Sequence, residues 1–543
     1  MFRNYVTVAI RNLVHNKLYS AINIGGLAVG LAACLLILLF VRDELSYDRW
    51  LPNADRIGVL ETTFRVPGRD TMAFPGAPGP VKKPLEEDFS SDVEKVVRVF
   101  QQELPVRVGE RQLLGEIDFV DPGFFQVFDI PMVAGERERA LEDNASILLS
   151  ETAAREFFGD QPPIGKTITV SDKMVFTVVG IFRDFPKNSS ISYDTITLFD
   201  LARYKDQPSI ADRWTSVNVS AYVLFRSPEA MKKVEADMPA FIDRHVKFEI
   251  PGITEKPSTF LTFEFMPVID IHLHADKPGY QNAGNLTTVL AFSGIALLIL
   301  VIACINFVNL ATARAMKRAR EVAMRKVVGA TRGQLIRQHM GEAIVTALVA
   351  LVVATALVEV SLRPFNSFVH KQLALDVGAD PMLILMIVGL VVAVGVIGGL
   401  YPAIYLSRFR PAEVLKANQS SATGGGSSLL RSGLVVFQFA ISIALIVCTA
   451  TIYSQTVYAR NFDLGYRHDN KLVLNGLDDM PSKEAIATLK REVASLPGVR
   501  GAALSSDAPP LQNNNNTMLY PQNTPGPERY LVETLSVDVD FFE

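Results

Sequence analysis

The chain has 543 residues, of which 49% are hydrophobic and 20% charged, and a formal net charge of -4. A mean hydropathy of +0.22 is too apolar for an ordinary soluble chain, yet charge is not depleted, so a few spanning helices must alternate with sizeable water-facing domains. The balance gives no basic footprint for nucleic acid, and the three cysteines, Cys34, Cys304 and Cys448, each inside an apolar run, exclude a secreted disulfide framework.

In chain order, Arg3, Arg11 and Lys17 among Phe2, Tyr5, Val6, Ile10 and Leu13 predict a basic amphipathic helix on the membrane surface. Ile22 to Val41 is uncharged and long enough to span, completing a first region at 1–41. A secretory signal would have a shorter apolar core and a small-residue cleavage site, but Arg42-Asp43-Glu44 follows. Leu31-Ala32-Ala33-Cys34 resembles a lipoprotein cleavage box, yet the span continues from Leu35 to Val41. Gly26 and Gly30 form a small face suited to helix packing.

Residues 42–286 are soluble in composition. Strand patterns fall at Val93–Phe100, Ile147–Leu149, Thr167–Val170, Val175–Gly180 and Ser220–Phe225, and helical patterns at Ala153–Phe158 and Met231–Phe241. These predict an α+β domain of one or two lobes. Residues 287–417 hold spans at Val289–Leu310, Ala343–Val360 and Met382–Ile404, with Gly395 and Gly399 again spaced for close packing. Residues 418–433 read as a flexible linker around Thr423-Gly424-Gly425-Gly426-Ser427-Ser428. A fifth span follows at 434–452, and then a second water-facing segment, 453–543, with an exposed polar tract at Asn513–Asn516. The fold class expected is an α-helical membrane protein with five spans and a large α+β extracytoplasmic domain.

The stretch Arg314–Glu342 lies between two spans and carries eight basic residues from Arg314 to Arg337. At about 3 kcal/mol each at the bilayer centre they cannot lie in lipid. Glu321 precedes Arg325 by four, the favourable order for a helix-surface ion pair. Gly329 suits a helix end, and Thr331 with Gln334 fits a capping box that starts a second helix through Leu335 and Ile336. The stretch is a helical elbow. The positive-inside rule places it, the N-terminus and the basic 405–431 loop in the cytoplasm, with 42–286, 361–381 and 453–543 outside.

Phe119-Val120-Asp121-Pro122-Gly123-Phe124-Phe125-Gln126 recurs as Ser536-Val537-Asp538-Val539-Asp540-Phe541-Phe542-Glu543. Spans one and five are separated by nearly the same offset, so a duplicated unit is expected. Its second copy stops inside its outer domain, which predicts a truncated gene product or a fragment.

Four places resemble the MacB/FtsX-like permease family of ABC transporters. Phe2 to Gly30 is similar to the family's N-terminal helix and first span, and Glu44 to Ile57 to the segment leaving it. Val120-Asp-Pro-Gly-Phe-Phe125, Ser150 to Gly159 and Pro163-Ile-Gly-Lys166 resemble its MacB-like periplasmic core, with Asp270-Ile-His-Leu273 similar to the exit. Arg320 to Ala330 and Leu406 to Leu415 resemble the cytoplasmic signatures of the FtsX-like domain. The resemblance implies a permease of the fused eight-span type in the bacterial inner membrane. It has no catalytic residues or cofactor and is driven by a separate cytoplasmic ATPase pair. Export or efflux of lipoproteins, peptides or drugs is implied, with a periplasmic adaptor or envelope protein as a further partner. The alternative is a non-transporting scaffold that regulates a cell-envelope enzyme; a third possibility is an inactive truncated product.

The elbow is the expected docking site, through Arg320, Glu321, Arg325, Lys326, Val327, Val328, Gly329, Thr331, Gln334 and Leu335. Its rival readings are a loop that only sets topology or binds anionic lipid, or a DNA-binding helix–turn–helix. The last would be tethered at both ends to spans and would reach a groove poorly. Asn306, Asn309 and Gln438 are intramembrane polar residues, read as interhelical packing groups. Gly159-Asp-Gln-Pro-Pro-Ile-Gly165-Lys166-Thr167 misses a P-loop by one residue between its glycines, so its amides would not converge on one anion. His272 and His274 would share one face of a strand near Asp276. Without a third ligand that is an ordinary exit strand before it is a metal site.

Overall fold

The computed structural model describes residues 17–65, 71–247, 255–275, 283–317, 319–376, 380–408, 425–463, 482–507, 516–519 and 530–542, with residues 11, 15, 277, 279, 280, 378, 469–474 and 477. The expected surface helix at 1–20 falls mostly outside these. The chain divides into two compact units, Met1–Ser46 with Gly284–Gly465, and Tyr47–Ala283 with Tyr466–Glu543.

In the first unit, five helices are long and apolar enough to cross a membrane. The first span is Lys17–Leu45, the second Leu286–Lys317, the third Arg332–Val369, the fourth Pro381–Arg408 and the fifth Gly425–Arg460. The helix of the fifth span begins at Gly425, inside the stretch expected to be a flexible linker at 418–433. Gly-Gly-Ser-Ser is short enough to be carried into the helix by the apolar run that follows, and 418–424 lies outside the described residues.

The first four spans share one core. Leu27, Leu31 and Leu35 of the first meet Ala303 and Phe307 of the second, Ala343, Ala347 and Ala350 of the third, and Ile387 and Val394 of the fourth. Small residues set the separation. A Cβ on Gly30 would lie 2.6 Å from Ala303 Cβ, one on Gly399 2.7 Å from Ala343 Cβ, and one on Gly398 2.0 Å from the Phe307 ring. This is the close approach expected when association in lipid depends on van der Waals contact. At the opposite end from the elbow, Lys371 bonds Glu44 at 2.8 Å and Asp43 at 3.1 Å, and Arg42 pairs with Asp380. These ion pairs fasten the 361–381 connection to the end of the first span.

The second unit is built on a mixed sheet. Its strands are β1 Ile57–Phe64, β2 Met72–Phe74, β3 Ala77–Pro78, β4 Val93–Val108, β5 Arg111–Val120 and β6 Met132–Gly135. They continue as β7 Ser146–Ser150, β8 Thr167–Val170, β9 Met174–Phe182, β10 Thr195–Leu198, β11 Val217–Phe225 and β12 Leu261–Pro267. The order across the sheet is β12-β1-β11-β4-β5-β10-β7-β9-β6. Both faces are covered. Val96 and Phe100 of β4 face a core with Val234, Met238 and Phe241 of helix Pro228–His245. Val97 and Val99 face another with Phe124, Phe128, Tyr193 and Ile271. A strand buried on both faces reads as a run of apolar residues, not as an alternation.

The near P-loop is a turn between a helix and a strand. Gly159, at φ 61°, ends helix Glu151–Phe158, and Lys166 bonds Gln161 at 2.5 Å before β8 begins. A phosphate cradle would need a helix to follow.

His272 and His274 do not share a strand. Val268–His274 is an α-helix, because Val268 and Ile271 repeat at helical spacing toward the core. His272 is buried with its ring stacked on Tyr47, centroids 3.4 Å apart, while His274 faces Asp270 at 3.4 Å. The two rings therefore point to different surroundings, and Asp276 lies outside the described residues.

Residues 466–543 include helix Lys483–Ala494 and a bridge between Ser505 and Val537. Lys490 there pairs with Asp538 at 2.6 Å.

Candidate coupling site at the basic elbow

The second span ends at Lys317, and a separate helix, Ala319–Val327, forms the first arm of the elbow. Glu321 and Arg325 pair at 2.7 Å across one of its turns. Val322 and Ala323 are buried on its inner side. The helix closes on Gly329, whose φ of 103° admits an L side chain poorly. Ala330 N bonds Arg325 O at 3.0 Å across this end. The third span then starts on a complete capping box. Gln334 N donates to Thr331 Oγ1 at 3.4 Å, and Thr331 N donates to Gln334 Oε1 at 3.0 Å. Two of the amides that a helix start leaves unpaired are thereby satisfied.

The residues singled out from the sequence divide into two groups. Val327 is 66% exposed, Val328 88% and Met324 57%, so three apolar side chains stand in the open at the bend. Met324 was missed in the sequence because methionine fits a buried stripe as well as an exposed one; its position one turn before Val327 and Val328 was the available signal.

Arg325 and Lys326 reach toward the spans instead, although the Arg325 side chain stays 41% exposed. Arg325 Nη1 donates to Gln338 Oε1 of the third span at 2.9 Å, and Gln338 Nε2 donates to Glu342 Oε1 at 3.2 Å. Lys326 Nζ donates to the Ser407 carbonyl at 2.7 Å, at the last turn of the fourth span. Burial first, then the Arg332 charge, hold the Lys326 ammonium below the usual lysine range. Arg332 Nε donates to Ser407 Oγ at 3.1 Å. Leu335 is buried, and the Arg320 side chain lies outside the described residues.

The intramembrane polar residues are not brought into one site. A Cβ on Gly26 of the first span would lie 3.1 Å from Asn306 Nδ2, so Asn306 packs against that glycine. Asn309 is half-buried one turn further on. Gln438 is half-buried on the fifth helix, whose apolar window is 0% buried.

Residues 20–241 match the MacB-like periplasmic core domain family, and residues 293–411 match the FtsX-like permease C-terminal family. A macrolide export ATP-binding/permease protein MacB of Chromobacterium violaceum is 22% identical over 74% of this chain and 58% of its own length. The ABC transporter permease YknZ of Bacillus subtilis is 22% identical over 60% of this chain and 75% of its own. The crystal structure of a domain of a putative permease protein from Porphyromonas gingivalis covers 44% of this chain and 98% of that one, at 22% identity and a TM-score of 0.35. The chain spans less than two thirds of the length of the first MacB relatives it matches, 38% of one and 58% of another.

The first match covers the first span and most of the outer domain, the second contains the elbow with its host spans, and the chain belongs to the MacB/FtsX-like ABC transporter permease family. It is a multi-pass membrane protein with a periplasmic-type core domain.

Proposed function

We propose that this chain is the membrane-spanning subunit that turns ATP hydrolysis by a separate ATPase chain into movement of its outer domain, in the service of export or efflux. The observation that carries the reading is the crest of Met324, Val327 and Val328, exposed at a capped break between two spans. Water-exposed apolar side chains rimmed by charge suit a protein partner. A loop that only fixed topology would need the charges and not the crest. The positive-inside rule places the crest in the cytoplasm, where ATP is. Relatives named as macrolide exporters favour export as the direction of transport.

The test is copurification. Val327→Asp with Val328→Asp places two charges where the partner must be dry. Both side chains are exposed, so the fold should change by no more than about 0.5 kcal/mol. The ATPase recovered with the full chain should drop at least about tenfold. Recovery equal to the unaltered chain would reject docking at this crest.

A further inference from the structure

The elbow is fastened to the membrane helices at two places that docking does not require. One link runs from Arg325 through Gln338 to Glu342, on the third span. The other runs from Lys326 to Ser407, on the fourth, where Arg332 from the start of the third span joins it. Gln338 is 9% exposed and Ser407 3%, so both acceptors are inside the protein. Ser407 O has no amide to accept from four residues on, because Pro411 carries no N–H. A cation there satisfies the carbonyl and complements the helix dipole. A hydrogen bond to a charged group is the stronger kind. A basic loop that only determined orientation would leave these cations in water.

The next contact inward leaves no slack. A Cβ on Gly399 would lie 2.7 Å from Ala343 Cβ and 3.2 Å from Met340 Sδ, so the third and fourth spans touch beside Glu342 and about two turns inside Ser407. A displacement of the elbow is handed to both spans at once. Well-packed contacts transmit strain because close-packed interiors have little free volume.

We propose that Gln338, Glu342 and Ser407 are positioning residues that lock the elbow to spans three and four, and that these links transmit its movement while the exposed crest makes the docking contact. The inference rests on the docking reading for what moves the elbow. Arg325 and Lys326 then serve the inside of the machine, and Met324, Val327 and Val328 the outside.

The experiment uses the full chain in lipid nanodiscs with whatever ATPase copurifies, and the double variant Gln338→Met with Lys326→Met, which removes the Arg325 acceptor on the third span and the donor to the Ser407 carbonyl on the fourth. Neither substitution touches the crest, and Met keeps the length of Gln. Hydrogen exchange in residues 319–331 and 400–408 should rise roughly tenfold in the variant, as expected when bonds to charged groups are lost. ATPase recovery should stay within about twofold of the unaltered chain. ATP with vanadate should alter exchange at 400–408 in the unaltered complex and no longer do so in the variant. Unchanged exchange at both segments would overturn the links, and so would an intact ATP response in the variant. Lost ATPase recovery in the variant would also overturn the division between crest and links. If the unaltered chain recovers no ATPase, the docking reading falls, and the nucleotide-free exchange comparison still decides whether the links exist.

Discussion

Leu504 and Asp538 are bonded to each other twice: the Leu504 amide donates to Asp538 Oδ2 at 2.8 Å, and the Asp538 amide donates to the Leu504 carbonyl at 3.0 Å. Arg98 and Asp121 do the same, at 2.9 and 3.1 Å. The parallel extends outward. Lys490 from helix Lys483–Ala494 reaches Asp538, as Lys82 from helix Lys82–Asp88 reaches Asp121. Ser505 pairs with Val537 as Val99 pairs with Val120. Phe541 and Phe542 meet edge to face at 5.3 Å, and Phe124 and Phe125 at 5.4 Å. We propose that 483–542 repeats the part of the outer-domain core that surrounds Asp121. The two partners are 34 residues apart in this copy and 23 in the first, and the longer intervening segment includes the polar tract Asn513–Asn516.

The two copies of the aspartate should respond differently to removal. Asp121 is 3% exposed and Arg98, which it neutralises, is 6% exposed. Asp121→Ala leaves a guanidinium buried without its partner, a cost of about 3–5 kcal/mol. Hydrogen exchange should then rise across β1, β4, β5 and β11. Asp538 is only half-buried, and Lys490 keeps Asp540 as a partner. Asp538→Ala should raise exchange only within 483–542. A sheet that exchanges normally in Asp121→Ala would contradict the argument.

The helix-packing glycines give a second contrast. Gly30→Ala puts a methyl 2.6 Å from Ala303 Cβ, so the first and second spans must part. Overpacking of this kind costs about 1–3 kcal/mol. A Cβ on Gly25, five residues earlier on another face, would meet nothing within 4 Å among the described residues. Gly25→Ala should be neutral or stabilising by up to about 1 kcal/mol, because alanine is the better helix former. Thermal unfolding of the full chain in detergent reads both. Equal shifts would mean that the spans yield at Gly30.

What the sequence made legible follows from the range of each cause. The five spans, the break at Gly329 and the capping box at Thr331 and Gln334 depend on neighbours in the chain, and all were readable. So were β4, β7, β9 and β11, whose Val, Ile and Phe runs reflect burial on both faces, and β8, whose Ile168 and Val170 alternate with threonines toward one core. Strand β12 alternates as Leu261, Phe263 and Phe265, a pattern that was present and passed over. Strand β5 mixes Arg111, Gln112, Glu116 and Asp118 with its apolar residues, and its pairing with β4 fixes it as much as its own propensity. In the elbow, charge singled out the stretch but not the direction of each side chain. Arg325 and Lys326 read as surface cations because Gln338 and Ser407, their acceptors, lie 13 and 81 residues away.

The buried Asp118 carboxyl should make the outer domain's stability depend on pH in an uncommon sense. It is 0% exposed, its Oδ2 accepts from the amides of Asp194 and Thr195 at 3.2 Å each, and Oδ1 has no partner among the described residues. Burial foremost, with the Glu116 and Asp194 charges added, pushes it well above the usual carboxylate range. Its folded value thus exceeds its unfolded value of about 3.9. The folded state binds the proton more tightly, so the contribution is fully present below about pH 3.9 and is lost as pH rises through the folded value. Asp118→Asn keeps an acceptor for both amides and removes the titration. Exposed carboxylates with lowered values, such as Asp88 beside His245 and Arg244, act in the opposite sense and are common to both proteins. The difference in melting temperature, variant minus unaltered chain, should therefore grow as pH rises from about 4 to neutrality. A difference that is constant across that range would show that Asp118 stays ionised in the folded domain.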